Sequence, residues 1–349
     1  MGSEIVIALD AMGGDKAPGM VVRGASIARV RHPHLRFRLF GDERRLKPLV
    51  ERFRRLAAAC TIEHTEEVVE ATDKPAFALR QRKGSSMSLA VRAVHEGRAA
   101  GVVSAGNTGA LMAIAKVVLK TLPGISRPAM ASVFPTLRGE SVLLDLGANI
   151  DCGADNLFQF AVMGEVYARS VLLIEKPTVA LLNVGEEELK GNEVIRTAAA
   201  KVRESGLPID FKGFVEGDDI AAGTVDVVVA DGFVGNVALK TAEGTARLYT
   251  EFLRAAFRRS VFSKLGFFLA RPALHAFRDR VDPRRYNGAM LLGLNGIVVK
   301  SHGGTDHRGF ATAIGMAADM ITQGFNARII DELQRLHAVP VPEPETIAV

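Results

Sequence analysis

With 349 residues, 48% of them hydrophobic and 24% charged, the chain has the size and balance of a globular protein of one large or two small domains. Its two cysteines, Cys60 and Cys152, exclude a disulfide framework and fit a reducing cytoplasm. The net charge of +5 comes with no Trp and only three Tyr, so base stacking lacks its usual platform and nucleic acid is not expected; an acidic protein or an anionic membrane surface accounts for the same charge.

Ile5–Leu9 is a short apolar run that predicts a first buried strand, and Glu4 ahead of it argues against a signal peptide. It ends in the glycine-rich loop Asp10-Ala11-Met12-Gly13-Gly14-Asp15, which lacks the Lys-Ser/Thr of a Walker A loop. A helix is expected over Val22–Val30, an alternating strand over Leu35–Phe40, and a basic helix over Leu46–Ala59 whose arginines form a solvated face. Residues 62–75 read as a connector, and Ser88–Glu96 as a helix. Further strand–loop–helix units begin at Gly101, Ser141, Val179 and Val225. Their loops carry Gly106-Asn107-Thr108-Gly109, Gly147-Ala148-Asn149, Lys190-Gly191-Asn192 and Asp231-Gly232-Phe233-Val234-Gly235-Asn236, with a helix expected from Val237. Met290–Lys300 predicts a last strand, followed by Ser301-His302-Gly303, and Phe310–Ile321 a closing helix. No apolar run is long enough to span a bilayer; the nearest, 99–115, is broken by Ser104, Asn107, Thr108 and glycines.

Strands alternating with helices predict an α/β fold, a mostly parallel twisted sheet covered by helices on both faces. Ligands of such sheets gather beyond the strands' carboxyl ends, which puts all these loops on one rim. One catalytic domain is expected over 1–335, with a flexible Pro-rich tail over 336–349. Within the domain, 245–285 reads as a basic amphipathic helical hairpin, with a turn at Lys264-Leu265-Gly266 and a second helix after Pro272. Arg254, Arg258, Arg259 and Lys264 supply its charge, and Phe267, Phe268 and Leu269 its apolar tip. Packing on the body or on a second copy, contact with a membrane, and docking of an acidic partner are all open for it.

Taken in order, Ile7-Ala8-Leu9-Asp10-Ala11-Met12-Gly13-Gly14-Asp15, Ser104-Ala105-Gly106-Asn107-Thr108-Gly109-Ala110, Leu146-Gly147-Ala148-Asn149, Leu189-Lys190-Gly191-Asn192, Asp231–Asn236 and Ser301-His302-Gly303 closely resemble the PlsX family, the phosphate acyltransferases of bacterial phospholipid synthesis. The likeness runs from Ile5 to the final helix. Lys16 stands where the family usually has His, so an imidazole at that point has no role here. The resemblance implies acyl transfer from acyl carrier protein to inorganic phosphate, without a cofactor. It also implies a fold like isocitrate and isopropylmalate dehydrogenases, a cytosolic homodimer and loose membrane association.

Such chemistry needs a held phosphate and a stabilised oxyanion. Lys190, a compact cation, suits either role, and the resemblance favours it and Asn236 as essential. Asn236 can donate an amide N–H to the carbonyl oxygen or simply cap a helix. The backbone at Gly13, Gly14 and Gly106–Gly109 can cradle phosphate, and Asp10, Asp15, Asn149, Gly191, Asn192, Asp231 and Gly232 complete the candidate set. His302 can protonate the leaving thiolate or make a structural hydrogen bond. Cys152 has no readable His partner, and no zinc motif is present, so no metal is expected. A metal- and NAD-dependent dehydrogenase of similar fold and an acyl-coenzyme A phosphotransacylase are the alternatives.

Overall fold

The computed structural model describes residues 4–280, 282 and 286–338. Eleven strands form one sheet: β1 (Ile5–Asp10), β2 (Leu35–Gly41), β3 (Cys60–His64), β4 (Gly101–Ser104), β5 (Ala129–Pro135), β6 (Glu140–Leu144), β7 (Thr178–Leu182), β8 (Asp210–Val215), β9 (Val227–Val229), β10 (Ala289–Leu292) and β11 (Ile297–Lys300), in the order β3-β2-β1-β4-β11-β10-β5-β6-β9-β7-β8. The helices are α1 (Gly19–Arg31), α2 (Glu43–Val50), α3 (Arg54–Ala57), α4 (Pro75–Gln81), α5 (Ser86–His95), α6 (Thr108–Leu119), α7 (Ala154–Tyr167), α8 (Glu193–Glu204), α9 (Gly217–Ala222), α10 (Gly232–Arg258), α11 (Val261–Arg280), α12 (His307–Thr322) and α13 (Phe325–Ala338).

Both sheet faces are dry. Ile7, Leu9, Val103 and Val299 belong to one apolar cluster, with α1, α7 and α12; the intervening Ala8, Val102 and Val298 belong to the other, with α5 and α6. This is the two-residue alternation of a strand covered on both sides.

Strand direction reverses midway. β3, β2, β1, β4 and β11 run parallel; the pairings β11–β10, β10–β5 and β5–β6 are antiparallel; β6, β9, β7 and β8 run parallel again. Three antiparallel steps leave the second half pointing opposite to the first. The expected single rim is therefore wrong: loops after β1, β4 and β11 lie at one edge, and those after β6, β7 and β9 at the other.

Other expectations shift as well. The 46–59 helix is broken into α2 and α3, and part of the expected connector is the edge strand β3. The last strand is the hairpin β10–β11, folded at Gly293 with φ +83°. α10 begins at Gly232, five residues early, and runs unbroken through Arg258, so the hairpin grows out of the site helix. Its turn falls at Arg259–Ser260, and Lys264-Leu265-Gly266 lies inside α11. α11 returns along α10, with the rings of Phe257 and Phe267 5.3 Å apart. α13 crosses the 335 boundary; the remainder of the expected tail, 339–349, lies outside the described residues.

α10 can start close to β6 because Gly232 and Gly235, its only buried residues, have no side chain. A Cβ on Gly235 would strike the Asp145 carbonyl oxygen, and one on Gly232 would lie 2.6 Å from that of Asn149. Gly235→Ala is expected to cost about 1–3 kcal/mol by overpacking, read as a lower denaturant midpoint in chemical unfolding.

Candidate active site

The first group of site residues sits where β1, β4 and β11 end. Asp10 is buried, and its carboxylate accepts from Ser86 Oγ (2.6 Å) and Ser104 Oγ (2.7 Å). Burial pushes its pKa up, and these hydroxyls with the Met12 and Gly13 amides oppose the rise. Gly13 lies against both Asp10 and the Gly106 amide, with no space for a Cβ, and Gly14 takes φ +104°. The Asp15 N–H donates to the Gly303 carbonyl (3.0 Å), tying the first loop to the last. Asp10, Gly13, Gly14, Asp15, Gly106 and the 302–304 loop are thus packed together at one edge of the sheet.

Asn107 does not face it as a ligand. Its Oδ1 caps α6 by accepting from the Ala110 N–H (3.0 Å), and its Nδ2 donates to the carbonyls of Ala71 and Asp73 (both 3.0 Å). That amide pins the 70–75 segment over the helix start, where Pro75 covers Gly109. Thr108, beside them, stays exposed. In His302, Nδ1 accepts from the Gly304 N–H (3.1 Å), which leaves Nε2 as the proton-bearing nitrogen of the neutral ring.

The second group lies on the opposite edge. Asp145, a residue the sequence reading passed over, is buried and organises it. Its carboxylate accepts from the Met130 N–H (2.9 Å), the Ala148 N–H (3.0 Å), the Asn149 N–H (2.7 Å) and Asn149 Nδ2 (2.9 Å). Burial pushes its pKa up against these donors. Asn149 is consequently occupied in holding the loop. Asp231 caps α10 through Val234 N–H (2.8 Å), so Asn236 is no cap; it sits exposed one turn further on, beside Gly147.

Lys190 belongs to this edge too, since β7 neighbours β9. The carbonyl of Lys190 accepts from Asn183 Nδ2 (3.3 Å), and those of Leu189 and Gly191 accept from Arg196 (both 3.2 Å). Gly191 has φ +82°, and Asn192 caps α8. The acidic run before Lys190 does not neutralise it: Glu188 pairs with Arg203 (3.2 Å), and among the described residues none pairs with the Lys190 ammonium. Cys152 is no nucleophile, because burial first and the Asp145 charge second push its thiol up to about 11.

α10 starts at the second edge, with Ala238 and Leu239 packed on the apolar cluster of the face covered by α5 and α6. At about 1.5 Å per residue, Lys240 lies some 12 Å from the helix start. It comes close enough to Lys300, the last residue of β11, for its charge to bear on that ammonium. The candidate site residues are thus divided between the two ends of the sheet. Lys300, Lys240, Ser86 and Ser104 were missed in the sequence; the two-residue parity of β11 was the available signal for Lys300.

Asp145→Asn would aim an amide N–H₂ at groups that are all donors. It is expected to cost on the order of 2 kcal/mol or more, measured by chemical denaturation, and to lower activity by loosening the loop behind Asn236.

Residues 5–328 match the family model described as "Fatty acid synthesis protein". A relative named phosphate acyltransferase from Paramagnetospirillum magneticum is 58% identical over 348 residues, covering 100% of this chain and 99% of that one. Another of that name from Rhodospirillum centenum is 62% identical, covering 97% and 95%. Among solved structures, a phosphotransacetylase from Streptococcus pyogenes superposes with a TM-score of 0.63 at 19% identity, over 92% of this chain and 95% of that one, a likeness of fold. The chain belongs to the fatty acid synthesis protein family, the PlsX phosphate acyltransferases.

Proposed function

We propose that the chain moves a fatty acyl group from the thioester of acyl carrier protein to inorganic phosphate, giving acyl phosphate for glycerophospholipid synthesis. The observation that carries this reading is identity of 58% along the whole length to a relative named phosphate acyltransferase. The site residues support it chemically. A phosphate oxygen attacks the thioester carbon, the C–S bond breaks, and the proton of monohydrogen phosphate ends on the sulfur. Because phosphate is itself the nucleophile, no acyl-enzyme is required.

Lys190 and Asn236 are assigned to the reacting centre. Lys190 is exposed in the loop after β7 and Asn236 near the start of α10, after the neighbouring β9, and neither side chain is consumed by the fold. Asn236 donates to the carbonyl oxygen as charge develops, with Lys190 as the neighbouring cation. His302, through Nε2, is the candidate donor to the leaving thiolate, the phosphate proton replacing the one the ring gives. The loops at Gly13, Gly14 and Gly106 are assigned to phosphate.

Away from the site residues, α10 and α11 expose an apolar surface that a single copy leaves uncovered, including Tyr249 and Phe252 on α10 and Phe262, Phe268 and Leu269 on α11. We assign the α10 part to a homodimer contact and the α11 part to peripheral membrane contact of a cytoplasmic protein. Arg254, Arg258, Arg259 and Lys264 beside them suit anionic lipid or the acidic carrier protein. Among the described residues no helix is long and apolar enough to cross a membrane.

Incubation with acyl carrier protein thioester and labelled phosphate is expected to give a hydroxylamine-sensitive product; NAD reduction with a hydroxy acid instead would support a dehydrogenase. Lys190→Ala is expected to keep the wild-type melting temperature and lose about 10²-fold or more in turnover, the scale of a lost oxyanion donor; retained turnover removes Lys190 from the mechanism. On the membrane side Phe267 is partly spent on Phe257, whereas Phe262 and Phe268 are 85% and 66% exposed. Changing Phe262 and Phe268 together to Ser is expected to release the protein from anionic liposomes in a flotation assay, and unchanged flotation would assign α11 to a protein contact.

A further inference from the structure

The two edges of the sheet differ in what they show to solvent. The loops after β1, β4 and β11 (11–18, 105–107 and 301–306) expose Asp15, Lys16 and His302 and no large apolar side chain. The segments after β6, β7 and β9 expose Ile150, Val184, Leu189, Phe233 and Val237, from 52% for Val237 to 89% for Leu189. None of these five belongs to either apolar cluster of the fold. Single exposed apolar side chains are ordinary, but a group of them around reactive polar residues marks a binding surface.

The five side chains are gathered around Asn236 and Lys190. The Gly232 N–H donates to the Asn149 carbonyl (2.7 Å), so Ile150 and Phe233 follow directly on the two ends of one hydrogen bond. Phe233, Asn236 and Val237 fall at i, i+3 and i+4 of α10 and share one exposed face, with apolar side chains beside the amide. β7 lies beside β9 with Leu181 level with Val229, so the chain leaves β7 at Asn183–Val184 next to the start of α10. There Asn183 Nδ2 donates to the Lys190 carbonyl (3.3 Å), and a Cβ on Gly185 would lie 2.9 Å from Lys190 Cγ. The lysine stem is thus folded back onto Gly185, with Val184 before that glycine and Leu189 before the lysine.

We infer that this surface receives the hydrocarbon chain of the acyl donor. Its first methylenes lie on Phe233 and Val237 while the thioester oxygen is at Asn236, and Val184 and Leu189 flank it on the Lys190 side. The inference rests on the acyl-transfer reading above and adds to it where chain length is read. The chain is joined covalently to the carbonyl, so the side chains flanking the group that receives the oxygen are the ones its first carbons meet. Each methylene taken out of water strengthens binding about fourfold, so longer donors are favoured up to the length this surface covers.

The test uses the full chain without liposomes, assayed with butyryl and dodecanoyl thioesters of acyl carrier protein and labelled phosphate. The wild type is expected to prefer the dodecanoyl donor in kcat/KM by about tenfold or more. Phe233→Ser and Leu189→Ser, both at exposed positions, are expected to keep the wild-type melting temperature and sedimentation coefficient and to lose most of that preference. Phe233→Ser decides where the two differ, and Leu189→Ser decides if Phe233→Ser does not fold. An unchanged preference overturns the inference. So does a changed sedimentation coefficient, which gives the surface to a second copy, or lost liposome flotation with the preference kept, which gives it to a membrane. Parinaric acid, a fluorescent fatty acid, separates this inference from the reading beneath it. Binding of that probe by the wild type but not by Phe233→Ser, in a protein that makes no acyl phosphate from either donor, upholds the apolar site and refutes acyl transfer. Acyl phosphate formed with the same chain-length preference in wild type and variants refutes the site and leaves acyl transfer standing.

Discussion

A wholly parallel sheet presents every strand's carboxyl end at one edge. Passing the chain through β10, β5 and β6 in alternating directions divides those ends between two edges, and the rest of the architecture answers that division. A reaction between two substrates then needs an element reaching from one edge to the other. α10 starts at the second of them: its first turn is packed on the Asp145–Asn149 loop, and Ala238 and Leu239, further along, pack on the sheet face covered by α5 and α6. The close approach of its first turn depends on glycine at 232 and 235, so a backbone contact sets where the reactive groups meet.

Two buried carboxylates anchor the edges in different ways. Asp10 gathers hydroxyls from α5 and β4; Asp145 gathers amides from β5 and from its own loop. Both are pushed toward higher pKa by burial and held by hydrogen bonds, the arrangement of groups that shape backbone and do not carry protons. The exposed groups, Lys190, Asn236 and His302, are the ones left for chemistry. This separation is why Asn107, Asn149 and Asn192, similar in sequence to Asn236, do different work: their amides cap helices or hold loops.

Much of this was legible in the sequence because an apolar run followed by a glycine-rich polar loop fits little besides a buried strand leading into a helix. The strand–loop–helix units at Ile5, Gly101 and Val225 were found where the structure has them. Strand direction was not legible: nothing local in Ala129–Pro135 or Ala289–Leu292 says which neighbour it joins, and without that the two edges merge into one. The helix start at Gly232 was hidden for a related reason. Its two glycines read as loop, but they serve close packing against Asp145 and Asn149. Lys300 escaped notice because a lysine ending an apolar strand looks like an ordinary exit to solvent; only the neighbouring strands bury it.

Catalysis in this account depends on phosphate being brought to a carbonyl held by Lys190 and Asn236. Diffraction from crystals grown with inorganic phosphate examines that directly. The account predicts a tetrahedral anion at the 13–14 loop. An anion seated solely on the Lys190 loop, with the 13–14 loop facing only water, would contradict it.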